Sequence, residues 1–543
     1  MSNTHRNPTD TEINAVIKFY TSGQIEEARA VLIRLTRKYP NEALLYNFLG
    51  VCYATLNQTE AAFGSFESAL RINPDNAEVH YNLGNTLKAC DRLNASIKSY
   101  TRALEINPFH ADTHINLGNA FKGIGNIEKA VSHYEHAIQI NPNYTEAHCN
   151  LGNTLHVIGN LEAAISCYQQ ALSIDPSDAE AHNCLGNTYN DLGKTDAALS
   201  AIEQALTIKP TNPQFWASYA TALHQKKFKT FNESFSNYLV KALQQPTINP
   251  NYIAPAIVSA LQQHPKIKLA IKASKNDLIE KNLPFFSDQL ASISLFLALL
   301  ENCPIADPEI EYLLTQMRRA ALNQLFDSIL NGIDFSFYYS LALHCFTNEY
   351  IFFETDEEIQ NVTKLENKIN YQVNNNLPIP PIWIVLLAAY RPLHNYLWAE
   401  QLQKTALPVN SHKILARQLF DIKKEQHLKT KIHQLTSIND STPNAVKEQY
   451  EQNPYPRWIN PGLFDNPKTI RENLHAINPQ LSIDDNHYSK MPNILIAGCG
   501  TGQHALNSQS RFLNCTVLAI DLSLNSLSYA MRKTHELSIT NIN

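Results

Sequence analysis

Through the first two hundred residues, apolar positions recur at three- and four-residue spacing, the mark of helices that bury one stripe. The pattern itself then repeats. Gly50, Gly84, Gly118, Gly152 and Gly186 stand 34 residues apart, and Pro40, Pro74, Pro108, Pro142, Pro176 and Pro210 keep the same period. So do Ala69, Ala103, Ala137, Ala171 and Ala205, and the aromatics Phe66, Tyr100, Tyr134 and Tyr168. Registers in step predict one helical hairpin copied along the chain. In Ala77–Cys90 the glycine falls mid-helix, where it costs about 1 kcal/mol against alanine. A second helix over Leu93–Ile106, offering Tyr100 and Ala103, explains that choice if it packs closely there. Asn107-Pro108 then ends it, because proline cannot continue the ladder.

From Pro213 to about Ser437 the period stops but helical patterning continues, over Glu233–Gln244, Tyr252–Gln262, Asp288–Glu301, Pro308–Leu330 and Pro381–Lys404. Asp307-Pro308 is a capping side chain followed by proline at the first turn. The aromatic run Phe335–Phe353 reads as a buried helix pair, with a ligand pocket as the alternative. Ser437–Asn444 reads as a linker.

The last hundred residues change character. Asn493–Ala497 is a short apolar run that meets Gly498-Cys499-Gly500-Thr501-Gly502. A helical stretch from Gln503 to about Arg511 follows, then a second apolar run, Thr516–Ile520, closed by Asp521, then helix over Leu524–His535. Strand, glycine turn, helix, strand, acid, helix is the opening of a parallel, Rossmann-like sheet of buried strands. Glycines permit the sharp turn and let a ligand touch the backbone. An acid at the second strand's tip can take both ribose hydroxyls.

The 34-residue unit resembles the tetratricopeptide repeat (TPR) family, a helix–turn–helix building block. Five units from Ala43 to Asn212 match, and a sixth, about residues 9–42, keeps Ala28, Leu32 and Pro40 but has Val16 at the glycine position. The resemblance implies a superhelix with its concave face lined by first helices. There Asn82, Asn116 and Asn150 share one repeat position, and Asn85, Asn119, Asn153 and Asn187 another. Such columns, similar to the ladder of the O-GlcNAc transferase family, can hold an extended peptide backbone; repeat drift without a ligand is the alternative. Glu78, Asp112, Glu146 and Glu180 precede them by one turn, unlike the lysine-rich clamps for C-terminal carboxylates. A histidine column, His80, His114, His148 and His182, reads as packing between the two helices, not as a metal site.

The GxGxG turn looks like motif I of class I S-adenosylmethionine-dependent methyltransferases. That resemblance implies that Gly498, Cys499, Gly500, Thr501 and Gly502 wrap the methionine end of the cofactor and Asp521 binds its ribose. A Rossmann-type site for NAD, or for nothing, is the alternative, although Gln503 stands where the dinucleotide pattern needs glycine. Upstream, Asn453-Pro454-Tyr455-Pro456-Arg457-Trp458 resembles a segment preceding motif I in bacterial TPR-linked methyltransferases. It reads as a lid or structural loop, with Asn453, Tyr455 and Arg457 as acceptor-side candidates.

The expected architecture is therefore mainly α: a TPR solenoid over 9–212, an all-helical region over 213–440, and the incomplete N-terminal part of a methyltransferase domain over 441–543. The chain is expected to be a fragment or a relic lacking the later strands, so no general base is assigned. Two functions from different classes follow. One is a TPR-guided methyltransferase acting on a protein or peptide; the other is a non-catalytic interaction scaffold. A glycosyltransferase partner is disfavoured because no donor-sugar domain is visible.

Composition narrows the setting. Net charge is −6, the wrong sign for phosphate-backbone binding, so no nucleic-acid partner is expected. Nine scattered cysteines without a CxxC spacing point to a reducing, cytoplasmic compartment. The longest apolar run, Ile382–Tyr390, is far below the ~20 residues needed to cross a bilayer, so no membrane partner is expected.

Overall fold

Twelve helices in six antiparallel pairs fill the N-terminal part, from Asp10–Thr21 and Ile25–Lys38 to Ala179–Asp191 and Thr195–Ile208. The computed structural model describes residues 8–224, 226–325, 334–404, 408, 411–433, 451, 457–477 and 491–543. The chain divides into two units, Met1–Pro210 and Thr211–Asn543.

The repeat contact is as the glycines foretell. A Cβ built on Gly84 meets the Tyr100 ring at 2.5 Å, on Gly118 the Tyr134 ring at 2.7 Å, and on Gly152 the Tyr168 ring at 2.8 Å. Each ring lies on bare backbone of the first helix, and each is fully buried. Val16 replaces glycine in the first pair and is itself buried. Each second helix from Ile25–Lys38 onward has its C-cap at the residue before the periodic proline, and Asn73, Asn107, Asn141 and Asp175 at those ends are extended.

In the second unit the helical patterning is borne out, with differences in three of the expected stretches. The stretch expected as one helix over Asp288–Glu301 is two, Leu283–Ala291 and Ser294–Asn302, bent by 87°. Ser292 turns its hydroxyl back onto the Gln289 carbonyl at 2.7 Å, and Ile293 leaves helical geometry. The stretch expected over Pro381–Lys404 is helical only over Pro381–Ala388, then breaks into 3₁₀ turns, because Pro392 has no N–H to give. The helix starting at Pro308 runs to Asn323, with Asp307 capping Ile310 N–H at 3.0 Å. Ser336–Thr347 is one helix buried on all sides. The expected linker Ser437–Asn444 lies outside the described residues.

At the C-terminal end, β1 (Asn493–Ala497) and β2 (Thr516–Ile520) pair in parallel, Asn493 beside Thr516 through Ala497 beside Ile520. On the other side of β2, Asn543 N–H donates to Val517 and Ala519 N–H to Asn543, each at 2.9 Å, so residues 541–543 run beside β2. The strands are buried on one face only, which corrects the expectation of fully buried strands. Ile496 and Val517 are inside, whereas Leu495 and Leu518, neighbours in register, are 64% and 48% exposed. Among the described residues these are the only named strands, and no single helix is long and apolar enough to cross a membrane.

Candidate functional site

Two places in the molecule concentrate polar groups in an ordered way. The first is the column of asparagines on the first helices of the repeats. Tyr100, Tyr134 and Tyr168 donate their hydroxyls to the Oδ1 atoms of Asn85, Asn119 and Asn153, each at 2.7 Å. The ring that needs the glycine thus also orients the next residue. The amide NH2 groups of these three asparagines have no protein partner among the described residues. In the fifth repeat Ile202 takes the tyrosine's place, so Asn187 lacks this anchor.

The other column works between repeats. Asn82 donates to Asn47 Oδ1 at 3.1 Å and Asn116 to the Tyr81 hydroxyl at 3.3 Å. Asn116 accepts from Lys88 Nζ at 2.5 Å, and Asn150 reaches Glu146 at 3.5 Å. Burial pulls the Lys88 and Lys122 ammonium groups below the ordinary lysine range. In the acid row, Asp112 accepts the Tyr144 hydroxyl and Glu180 stands 3.8 Å from Lys209.

The histidines latch the preceding turn, and His114 also packs between the two helices, stacked on His136 of the second helix at 5.4 Å. Nε2 of His80, His114, His148 and His182 donates to the carbonyl of the proline six residues earlier, at 2.9–3.1 Å. A carbonyl only accepts, so Nε2 carries the proton and Nδ1 is left as an acceptor. At His114 that Nδ1 lies 3.1 Å from Nδ1 of His133, which must be the donor. Burial, and then the neighbouring His114, His136 and Lys129, pull His133 down to about 4. Among the described residues no group of three or more histidine, cysteine or acidic side chains could hold a metal ion.

The second place is the glycine turn after β1. Gly498, Gly500 and Gly502 all have positive φ, of 68°, 54° and 83°. Gly498 and Cys499 N–H donate to Ile520 O at the tip of β2, at 2.8 and 3.1 Å, so the two strand tips are tied together. Asp521 closes the turn: Oδ2 accepts from Gly500 N–H at 2.8 Å and Oδ1 from Ser523 N–H at 2.9 Å. A Cβ on Gly498 or Gly500 would meet nothing within 4 Å, so this face of the turn is open; on Gly502 it would lie 2.5 Å from Ala530 Cβ. Cys499 is buried, and burial beside Asp521 pushes its thiol up to about 12, which removes it as a nucleophile.

Comparison with known families addresses the first place. Models described as TPR repeat and tetratricopeptide repeat match residues 14–77, 77–110, 124–159, 156–193 and 179–212. The first unit is a tetratricopeptide-repeat array. Similar solved structures cover between 30% and 40% of the chain. A crystal structure of MamA is 25% identical over 30% of this chain and 95% of its own, with a TM-score of 0.29. YrrB, described as a TPR protein with an unusual peptide-binding site, is 23% identical over 36% and 96%, with a TM-score of 0.31. PilF of Pseudomonas aeruginosa is 19% identical over 40% and 97%, with a TM-score of 0.36. No curated protein matches the chain in sequence.

Unlike the tetratricopeptide array, the C-terminal site is held mostly by residues that the sequence pattern does not single out. Glu451 accepts from Leu524 and Asn525 N–H at the start of the last helix, Leu524–Glu536, and pairs with Lys429 at 2.7 Å. Arg457, an acceptor-side candidate, is buried instead between Glu349 at 2.5 Å and Glu425 at 3.8 Å, over the Phe346 ring. Arg532 meets the same Glu425 at 2.8 Å and Asp421 at 3.3 Å. Desolvation raises the carboxyls of Glu349 and Glu425, and the facing arginines offset part of that rise. Asn453 and Tyr455 lie outside the described residues.

Proposed function

We propose that the protein is an interaction scaffold whose tetratricopeptide array holds an extended protein or peptide segment, in a reducing, cytoplasmic setting that suits nine unpaired cysteines. The observation that carries this is the row Asn85, Asn119 and Asn153, each amide pre-oriented by its tyrosine and each NH2 left open. Such a row binds backbone carbonyls whatever the side chains, and its order is already fixed before a ligand arrives. The test is a synthetic array of unrelated acetylated peptides. Replacing all three asparagines by alanine is expected to weaken binding about tenfold or more across sequences; unchanged affinities would reduce the row to packing.

A second reading adds catalysis: a methyltransferase site for S-adenosylmethionine at the glycine turn, as part of a Rossmann-like sheet. Its support is the open backbone at Gly498 and Gly500 beside the Asp521 carboxylate. Each Asp521 oxygen accepts one backbone N–H and retains lone-pair capacity for a ribose hydroxyl. The β1, β2 and 541–543 order also suits such a sheet. When bound, the cofactor would supply the methyl group; Gly498 through Gly502 would hold its methionine end and Asp521 its ribose. Calorimetry with S-adenosylhomocysteine, with NAD as the competing nucleotide, tests this. Binding of the adenosyl compound, lost in Asp521→Ala, supports the reading; equal binding by that variant, or preference for NAD, overturns it.

A further inference from the structure

Three glycines at positive φ give the turn its open face but no stiffness of its own, since glycine resists ordering more than any other residue. Something outside the turn must hold its peptide planes. On one side that is Asp521, through Gly500 N–H. On the other side it is Trp458, whose indole Nε1 donates to the Thr501 carbonyl at 3.0 Å from 43 residues earlier in the chain. The two bonds clamp the Gly500-Thr501 dipeptide at both of its ends.

Trp458 is itself fixed. It is 2% exposed, and Thr501 3%. The Tyr529 hydroxyl donates to the Trp458 carbonyl, and the two rings meet edge to face at 5.7 Å. Leu506, from the helix that follows the turn, and Tyr529, from the last helix, complete its cluster, with Leu463 at the margin. Its neighbour Arg457 is anchored by Glu349 and Glu425. The turn is thus tied through one indole N–H to the helices of the second unit.

We infer that Trp458 is the positioning residue of the glycine turn, setting the Thr501 peptide in the orientation a nucleoside ligand needs; this rests on the adenosyl reading above. It touches the turn from behind and takes no part in the chemistry. It also gives Arg457-Trp458 a joint role: the arginine is locked to the helices by Glu349 and Glu425, and the tryptophan carries that lock to the turn.

The test uses the full chain and S-adenosylhomocysteine. Trp458→Phe keeps a ring in the cluster and removes only the donor. Leu463→Ala thins the same cluster and leaves the donor in place. Trp458→Phe is expected to weaken binding about tenfold and to speed amide exchange at residues 500–503. Leu463→Ala should lower the unfolding temperature and bind as the parent does. Equal affinity of Trp458→Phe and the parent, or equal loss in both variants, overturns the assignment. Should the parent itself bind no adenosyl compound, the nucleoside reading falls, and exchange decides the rest: acceleration at 500–503 upholds the clamp and an unchanged rate removes it.

Discussion

A glycine is pressed against a neighbouring helix in both units, and the two places secure it differently. In the repeats Gly84, Gly118 and Gly152 each receive a tyrosine ring, and the hydroxyl of that ring fixes the asparagine one position on. The arrangement is made from one hairpin and copied. At the C-terminal turn Gly502 meets Ala530, and the turn is held by Asp521 and Trp458. Nothing there is copied, so each of its bonds is irreplaceable. Repetition spreads a structural duty over many equivalent bonds; a single site concentrates it.

The sharpest way to break that contrast is steric. Gly118→Val drives a branched side chain into the Tyr134 ring and is expected to cost about 2–3 kcal/mol, seen as a lower thermal midpoint by circular dichroism. Gly498→Ala, at an open positive-φ position, should cost only about 1 kcal/mol. If the two variants unfold alike, the close helix contact is not what the repeat glycine serves.

A smaller effect comes from acid. His133 has its folded pKa pulled down to about 4, from an ordinary 6.5. The unfolded chain takes up a proton that the folded repeat refuses, so this contribution is present above 6.5 and is lost as pH falls toward 4. At pH 5 the loss is about 1–2 kcal/mol. A pH series of melting curves should show His133→Phe flattening that decline; parallel curves would mean that the His114–His133 pair is not titrating as described.

Smaller again is Tyr134→Phe, which removes one hydroxyl bond to Asn119 and should cost about 1 kcal/mol, with a similar cost for Tyr100→Phe and Tyr168→Phe. Denaturant midpoints of the single and triple variants test whether copies act independently: near-additive losses fit, and a collapse after one substitution does not. Least of all is Phe109→Ala. Phe109 is 80% exposed in an inter-repeat turn, and its loss should stay within about 0.5 kcal/mol. A larger change would place an unseen partner on it.

The same contrast explains what could be read from the chain. The glycine and aromatic registers betray the helix pair because periodicity singles them out from chance. The tyrosine-to-asparagine bond was equally periodic and could have been found by laying one column on the other; the histidine latch needed the proline column in the same way. Pro392 announces that the helix from Pro381 cannot run on to Lys404, but Ser292 and Ile293 carry no such punctuation, and the bend there shows only in the folded chain. Trp458 and Thr501 meet once, with no second copy to give the pairing away. For Arg457, sequence context suggested a substrate; its ion pairs with Glu349 and Glu425 depend on a tertiary neighbourhood that no local pattern encodes.

The buried ion pairs also bear on portability. A piece cut out from residue 441 onward would carry Arg457 and Arg532 away from Glu349, Asp421 and Glu425, and Glu451 away from Lys429. Cations shaped for a sheltered seat over Phe346 and Tyr529 would be left facing solvent beside newly bared aromatic surface. The glycine turn is therefore no detachable cassette: grafting it elsewhere means transplanting the helices around Glu349 and Glu425 as well.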